Sequence, residues 1–110
     1  MNYQHKQLAN GRWRKFTLIE QLANIGSEVF RALKWKEEKN EKYALAAFER
    51  ALELIDLTVC DPKNKNRLKE ILRMRECLAD YFVFDNKYRS TKENWQKYFY
   101  AFNFAVATGR

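Results

Sequence analysis

From Thr17 onward, apolar residues recur at helical intervals. Leu18, Leu22, Ile25, Val29 and Leu33 form one row, and Ile19, Ala23, Gly26, Phe30 and Leu33 form a second beside it. Steps of three and four mark one helix face, and two rows predict packing against more than one neighbour. Thr17 and Glu20 have capping-box spacing and place the start. Gly26 in mid-helix costs roughly 1 kcal/mol against Ala, which a close helix crossing would offset. Residues 35–43, WKEEKNEKY, read as a charged connection.

A second helix is predicted from Asn40 to Cys60, with Leu45, Phe48, Leu52, Ile55 and Val59 as its stripe and Ala44, Ala47 and Ala51 alongside. Asp61 is a natural N-cap and Pro62 suits a first helical position. A third helix is therefore expected from Pro62 to Phe84, antiparallel to the second. Its stripe is Leu68, Ile71, Arg75, Leu78 and Phe82, flanked by Leu72, Ala79 and Tyr81. Residues 84–90 read as a loop. A fourth helix starts at Ser90 or Thr91, since Ser90 and Glu93 again have capping-box spacing. It carries Trp95, Tyr98, Phe99, Phe102, Ala105 and Val106, and Gly109 follows it. Aromatics in this helix are read mostly as core, with Tyr88 and Tyr100 as exposed exceptions.

Four helices with short links predict an all-α, up-and-down four-helix bundle. Three Gly and one Pro in 110 residues are too few for a many-turned β-sandwich. The length fits one domain with a core of its own. Residues 17–110 are assigned to the bundle and 1–16 to a basic amino-terminal arm. Within the arm, NGRWRKF reads as a loop pinned by Trp13 and Phe16, with a segment lying on phosphates as the alternative.

Charge changes the picture. The formal net charge is +7 and unevenly placed. Residues 1–15 hold Lys6, Arg12, Arg14 and Lys15 and no acid; residues 62–75 hold Lys63, Lys65, Arg67, Lys69, Arg73 and Arg75 against Glu70 alone. The rest of the chain is net acidic. A regional excess of this kind points to an anionic partner. Lys65, Lys69 and Arg73, at four-residue steps, are the best single stripe. Lys63, Arg67, Arg12 and Arg14 are expected to add charge. The partner expected is RNA or DNA held through phosphates, without a cofactor.

The inventory for catalysis is thin. His5 is the one histidine, and Cys60 and Cys77 have neither CxxC nor metal-ligand spacing. No metal site is expected. Glu49, Glu53 and Asp56 share a helix side, but no Glu-x-x-His pair joins them. Two scattered thiols, no apolar leader and no membrane-length run predict a cytoplasmic protein.

Arg75 is the odd residue, since its spacing sets it on the buried side or its border. A permanent cation there needs partners. Glu28 on the first helix, and Glu53 or Asp56 on the second, are the available carboxylates, and together they would fix helix register. A snorkelling Arg, or one aimed into a groove to hold phosphate, are the alternatives.

Two resemblances bear on this. The segment Arg75-Glu76-Cys77-Leu78-Ala79-Asp80-Tyr81 resembles the late-helix motif of helical RNases and toxins of the HEPN class, an Arg followed a few residues later by a His. Asp80 stands where that His would be, and an ionised Asp cannot donate a proton. The resemblance implies a degenerate RNase or a nucleotidyltransferase partner, with Arg75, Asp80 and Tyr81 at a groove between subunits. Residues 16–32, FTLIEQLANIGSEVFRA, resemble one helix of the small bundles encoded by intervening sequences in 23S ribosomal RNA, and of the similar accessory proteins of diversity-generating retroelements. That resemblance implies a basic, oligomeric bundle that binds nucleic acid or a reverse transcriptase without catalysis. The reading favoured here is a non-catalytic, homo-oligomeric bundle that binds nucleic acid through a basic face. A protein–protein assembly adaptor is the third class.

Overall fold

The computed structural model describes residues 11–109. They form four α-helices and two short 3-10 segments, with no strand among them. The helices are α1 (Leu18–Glu37), α2 (Glu41–Val59), α3 (Leu68–Phe82) and α4 (Lys92–Ala107). The 3-10 segments are Arg12–Lys15 and Pro62–Arg67. The chain is an all-α four-helix bundle.

Local chemistry sets the boundaries. Thr17 and Glu20 close the expected capping box: Thr17 Oγ1 accepts from the Glu20 amide at 3.2 Å, and Glu20 Oε1 accepts from the Thr17 amide at 2.8 Å. α1 runs on through Trp35 to Glu37, into what the charges marked as a connection. Beyond its cap at Glu38 the chain turns at Lys39, in the left-handed region at φ 59°. Asn40 then caps α2 by accepting from the Tyr43 amide. Asp61 caps as expected, but Pro62–Arg67 is a 3-10 segment, and α3 ends at Phe82 rather than Phe84. At α4 the cap is Thr91, which accepts from the Asn94 amide; Ser90 instead donates its amide to Asn86.

α1 is the central helix. It packs broadly against α2 and α4, while α3 packs against α2. The seam between α3 and α4 is the loose one, with few close backbone approaches. Gly26 lies where α1 and α4 cross: a Cβ built there would stand 2.8 Å from Phe99 Cβ. The close crossing read from the mid-helix glycine is thus present.

The core departs from the predicted stripes at named places. Leu45 is exposed, and α2 buries Leu54 and Thr58 along with Phe48 and Ile55. On α3 the buried row is Ile71, Met74 and Leu78, so Met74 takes the inward place given to Arg75. On α4 only Trp95 and Phe99 are buried; Tyr98, Tyr100, Phe104 and Val106 are exposed. An aromatic-rich helix in contact chiefly with one neighbour has more apolar faces than it can cover.

Trp13 and Phe16 join the core. Trp13 is 1% exposed, and its Nε1 donates to Thr58 Oγ1 at 2.9 Å. Gln21 Nε2 donates to the Trp13 carbonyl and to Asp61 Oδ2, while its Oε1 accepts from Asn64 Nδ2. Asn64 also donates to the Thr58 carbonyl. This buried network ties the amino-terminal turn to the α2–α3 corner. Every polar group named in it has a partner, so its burial carries no unsatisfied penalty. The arm's residues 1–10, with His5 and Lys6, lie outside the described residues.

Candidate functional site

The cations read as one basic surface divide into two sets. Arg14 and Lys63 are engaged structurally. Arg14 Nη2 donates to the Cys60 carbonyl at 3.2 Å. Lys63 Nζ donates to the Asp61 carboxylate and, at 3.0 Å, to the Arg14 carbonyl. Burial alone would raise the Asp61 pKa, but hydrogen bonds from Lys63 and Gln21 outweigh it and hold the carboxyl below its ordinary range. Arg12 is exposed in the same turn.

Lys65, Lys69 and Arg73 are all exposed, and none of the three makes an ion pair among the described residues. Arg67 makes a loose, exposed pair with Glu70 at 3.3 Å. The expected four-residue stripe is broken at its start, however. Lys65 belongs to the 3-10 segment, which turns about 120° per residue against 100° in an α-helix. Only Lys69 and Arg73 share a regular α-helical row, and Lys65 is offset from it.

Arg75 sits at the border of the buried face. Its Nε donates to Asp56 Oδ1 at 2.9 Å across the α2–α3 interface, with both side chains substantially exposed. One of its three expected partners is therefore the observed one. Glu28 is buried but serves other cations, Arg31 at 2.6 Å and Arg50 at 3.0 Å. Glu53 is half-buried on α2, one turn before Asp56.

The residues carrying the HEPN resemblance are not brought to one point. Asp80 is buried, with Oδ1 accepting from the Lys87 amide at 2.8 Å and Oδ2 from the Tyr88 amide at 3.0 Å. Both oxygens thus hold the loop that follows α3. Tyr81 packs under the Lys36 ammonium, 4.7 Å from its ring centre, and burial pushes its phenol pKa up. Arg75 and Asp80 line one groove, of about 770 Å³, which Tyr81 does not line.

A different cavity lies at the loose seam. Between α3, the 83–91 loop and α4 runs an open groove of about 500 Å³. Met74, Cys77 and Trp95 give it apolar surface, Tyr88 and Tyr98 add aromatic walls, and Arg73, Arg89 and Glu70 supply its charges. Burial raises the Tyr98 phenol pKa, as does the nearby Glu70 carboxylate, so it keeps its proton at neutral pH. Burial likewise raises the Cys77 thiol, leaving it a poor nucleophile. Arg89 occupies the left-handed region at φ 55°, between an Asn86 that accepts its amide and a Ser90 locked to the same Asn86. One polar atom is unmatched: Trp95 Nε1 is buried without a hydrogen-bond partner.

Sequence reasoning missed this groove. Trp95 reads as core and Arg89 as loop, and both hold, but neither reading shows that they meet; Met74 is hidden because the spacing sets Arg75 in its place. The available signal is the nine-residue link 83–91, long for a bundle turn. Among the described residues no His, Cys, Asp and Glu group is arranged to hold a metal ion, and no helix is long and apolar enough to cross a membrane. Comparison of the chain with protein-family models, curated proteins and solved structures gives no match.

Proposed function

We propose that the protein binds nucleic acid without catalysis, through the exposed edge of α3 and the 3-10 segment before it. What carries the reading is the set of exposed cations Lys65, Lys69 and Arg73, none of which makes an ion pair among the described residues. Phosphates would occupy what the fold leaves unpaired, with release of counterions. Arg67 adds to the edge, at the expense of its weak pair with Glu70. Arg14 and Lys63 contribute only field, since their donors are engaged.

The test is binding of a short single-stranded RNA over a range of salt concentrations. Three phosphate contacts to a single strand give a log–log salt slope shallower by about 2 when they are removed. Lys65→Glu, Lys69→Glu and Arg73→Glu together should lower both affinity and slope while the melting temperature holds. An unchanged slope in a folded triple variant refutes the reading.

A second reading, self-association, is favoured by α4. Tyr100 and Phe104 are exposed, with ring centres 6.3 Å apart, on a helix that has one main neighbour. Sedimentation equilibrium of the wild type and of Phe104→Lys tests it, and a monomeric wild type at high concentration rules it out.

A further inference from the structure

We infer that the α3–α4 groove seats a single unstacked nucleotide, its base against Trp95 and Tyr98 and its phosphate between Arg73 and Arg89. This deepens the nucleic-acid reading and rests on it. Two features converge. The first is size: about 500 Å³ falls within the range of small-ligand sites. The second is the pairing of two arginines, which outnumber the one carboxylate of the lining, Glu70, with an aromatic and apolar wall, a combination that suits a molecule anionic at one end and planar at the other. Neither guanidinium makes an ion pair among the described residues, so both can take phosphate oxygens.

Trp95 is 7% exposed and gives the groove an edge of its indole, while its Nε1–H lies beneath the surface and takes no part. Asn94 offers an amide with both donor and acceptor for a base edge. An aliphatic anion would leave the aromatic walls unused, and an uncharged apolar ligand would leave the arginines unused. The nucleotide uses both.

Arg89 permits a clean test. Its left-handed backbone is one glycine adopts at no steric cost, so Arg89→Gly removes the guanidinium while easing the loop. The experiment follows the indole N–H signals of the whole chain by NMR, with Trp95→Phe assigning its own. Uridine monophosphate is one probe and an eight-nucleotide oligouridine the other. The Trp95 signal should shift while that of Trp13, already bonded to Thr58, stays in place. Arg89→Gly should weaken binding about tenfold or more, as loss of a charged hydrogen bond implies. Lys65→Glu with Lys69→Glu weakens the oligonucleotide alone and leaves the monophosphate unaffected.

Outcomes separate the two levels. If the monophosphate binds and the oligonucleotide does not, the groove is a site for free nucleotide, and the α3 edge loses its role. If the oligonucleotide binds with a steep salt slope but neither the Trp95 signal nor Arg89→Gly responds, the groove proposal is overturned and the edge stands. If neither probe moves the Trp95 signal or binds, both fall, and the seam is left to a protein partner.

Discussion

Replacing Gly26 with Ala sets two effects of opposite sign against each other. Alanine in a helix interior is favoured over glycine by about 1 kcal/mol, so an open site would be stabilised. Here the new methyl would lie 2.8 Å from Phe99 Cβ, 3.0 Å from Cδ1 and 3.1 Å from Cγ. The nearest of these atoms is the root of the side chain, which no rotamer change can move away. α4 must shift outward along its one broad contact. Overpacking of this kind costs about 1–3 kcal/mol, and a contact with the Cβ places it toward the upper end. The net expectation is destabilisation by about 1–2 kcal/mol, or a melting temperature lower by about 5–10 °C for a domain of this size. Thermal unfolding followed by far-UV circular dichroism reads it. Ser27→Ala, on the exposed side one residue along, serves as the control and should be neutral or slightly stabilising. A Gly26→Ala protein that melts several degrees above the wild type would falsify the close crossing.

Other consequences can be checked in the same way. Trp13→Ala should cost about 3–5 kcal/mol, because it empties a site 1% exposed and removes the indole donor to Thr58; chemical denaturation measures it, and a loss below about 1 kcal/mol would mean the turn is not part of the core. Asp61 is held below its ordinary pKa of 3.8, so the folded state binds this proton less readily than the unfolded one. Its contribution is present above that ordinary pKa and is lost as pH falls through the folded value. Asp61→Asn should therefore be less stable than wild type at neutral pH, with the gap narrowing in acid; a gap of constant size across that range contradicts the assignment. Arg89→Gly should raise the melting temperature by a few degrees, since left-handed backbone costs a non-glycine residue about 1 kcal/mol.

Much of the architecture was legible in the chain because it is written in local chemistry. Thr17, Asn40 and Asp61 sit at helix starts for reasons their side chains supply alone. Gly26 announced a crossing, although its partner Phe99 could not be named from spacing. What escaped depends on more distant geometry. Gln21 lies three residues after Leu18 and four before Ile25, on the buried face, yet its burial makes sense only once Trp13, Asp61 and Asn64 surround it. Arg75 and Met74 differ by one position, and periodicity alone does not choose between them. The 3-10 geometry of Pro62–Arg67 broke the cationic row, because a four-residue step carries a fixed angle only inside an α-helix. The groove escaped for the same reason as the looseness of α4: it is a gap between elements, and gaps leave no period.

The fastening of α4 along one side of α1 has a dynamic consequence. Its amides should exchange with solvent through partial openings that spare α1, α2 and the turn at Trp13, which are knit together from several directions. Each such opening would carry Trp95 and Tyr98 away from Arg73. Any molecule that bridges the two sides then acts as a rivet, adding its own affinity to the stability of the closed form, and the last helix becomes as firm as its occupancy.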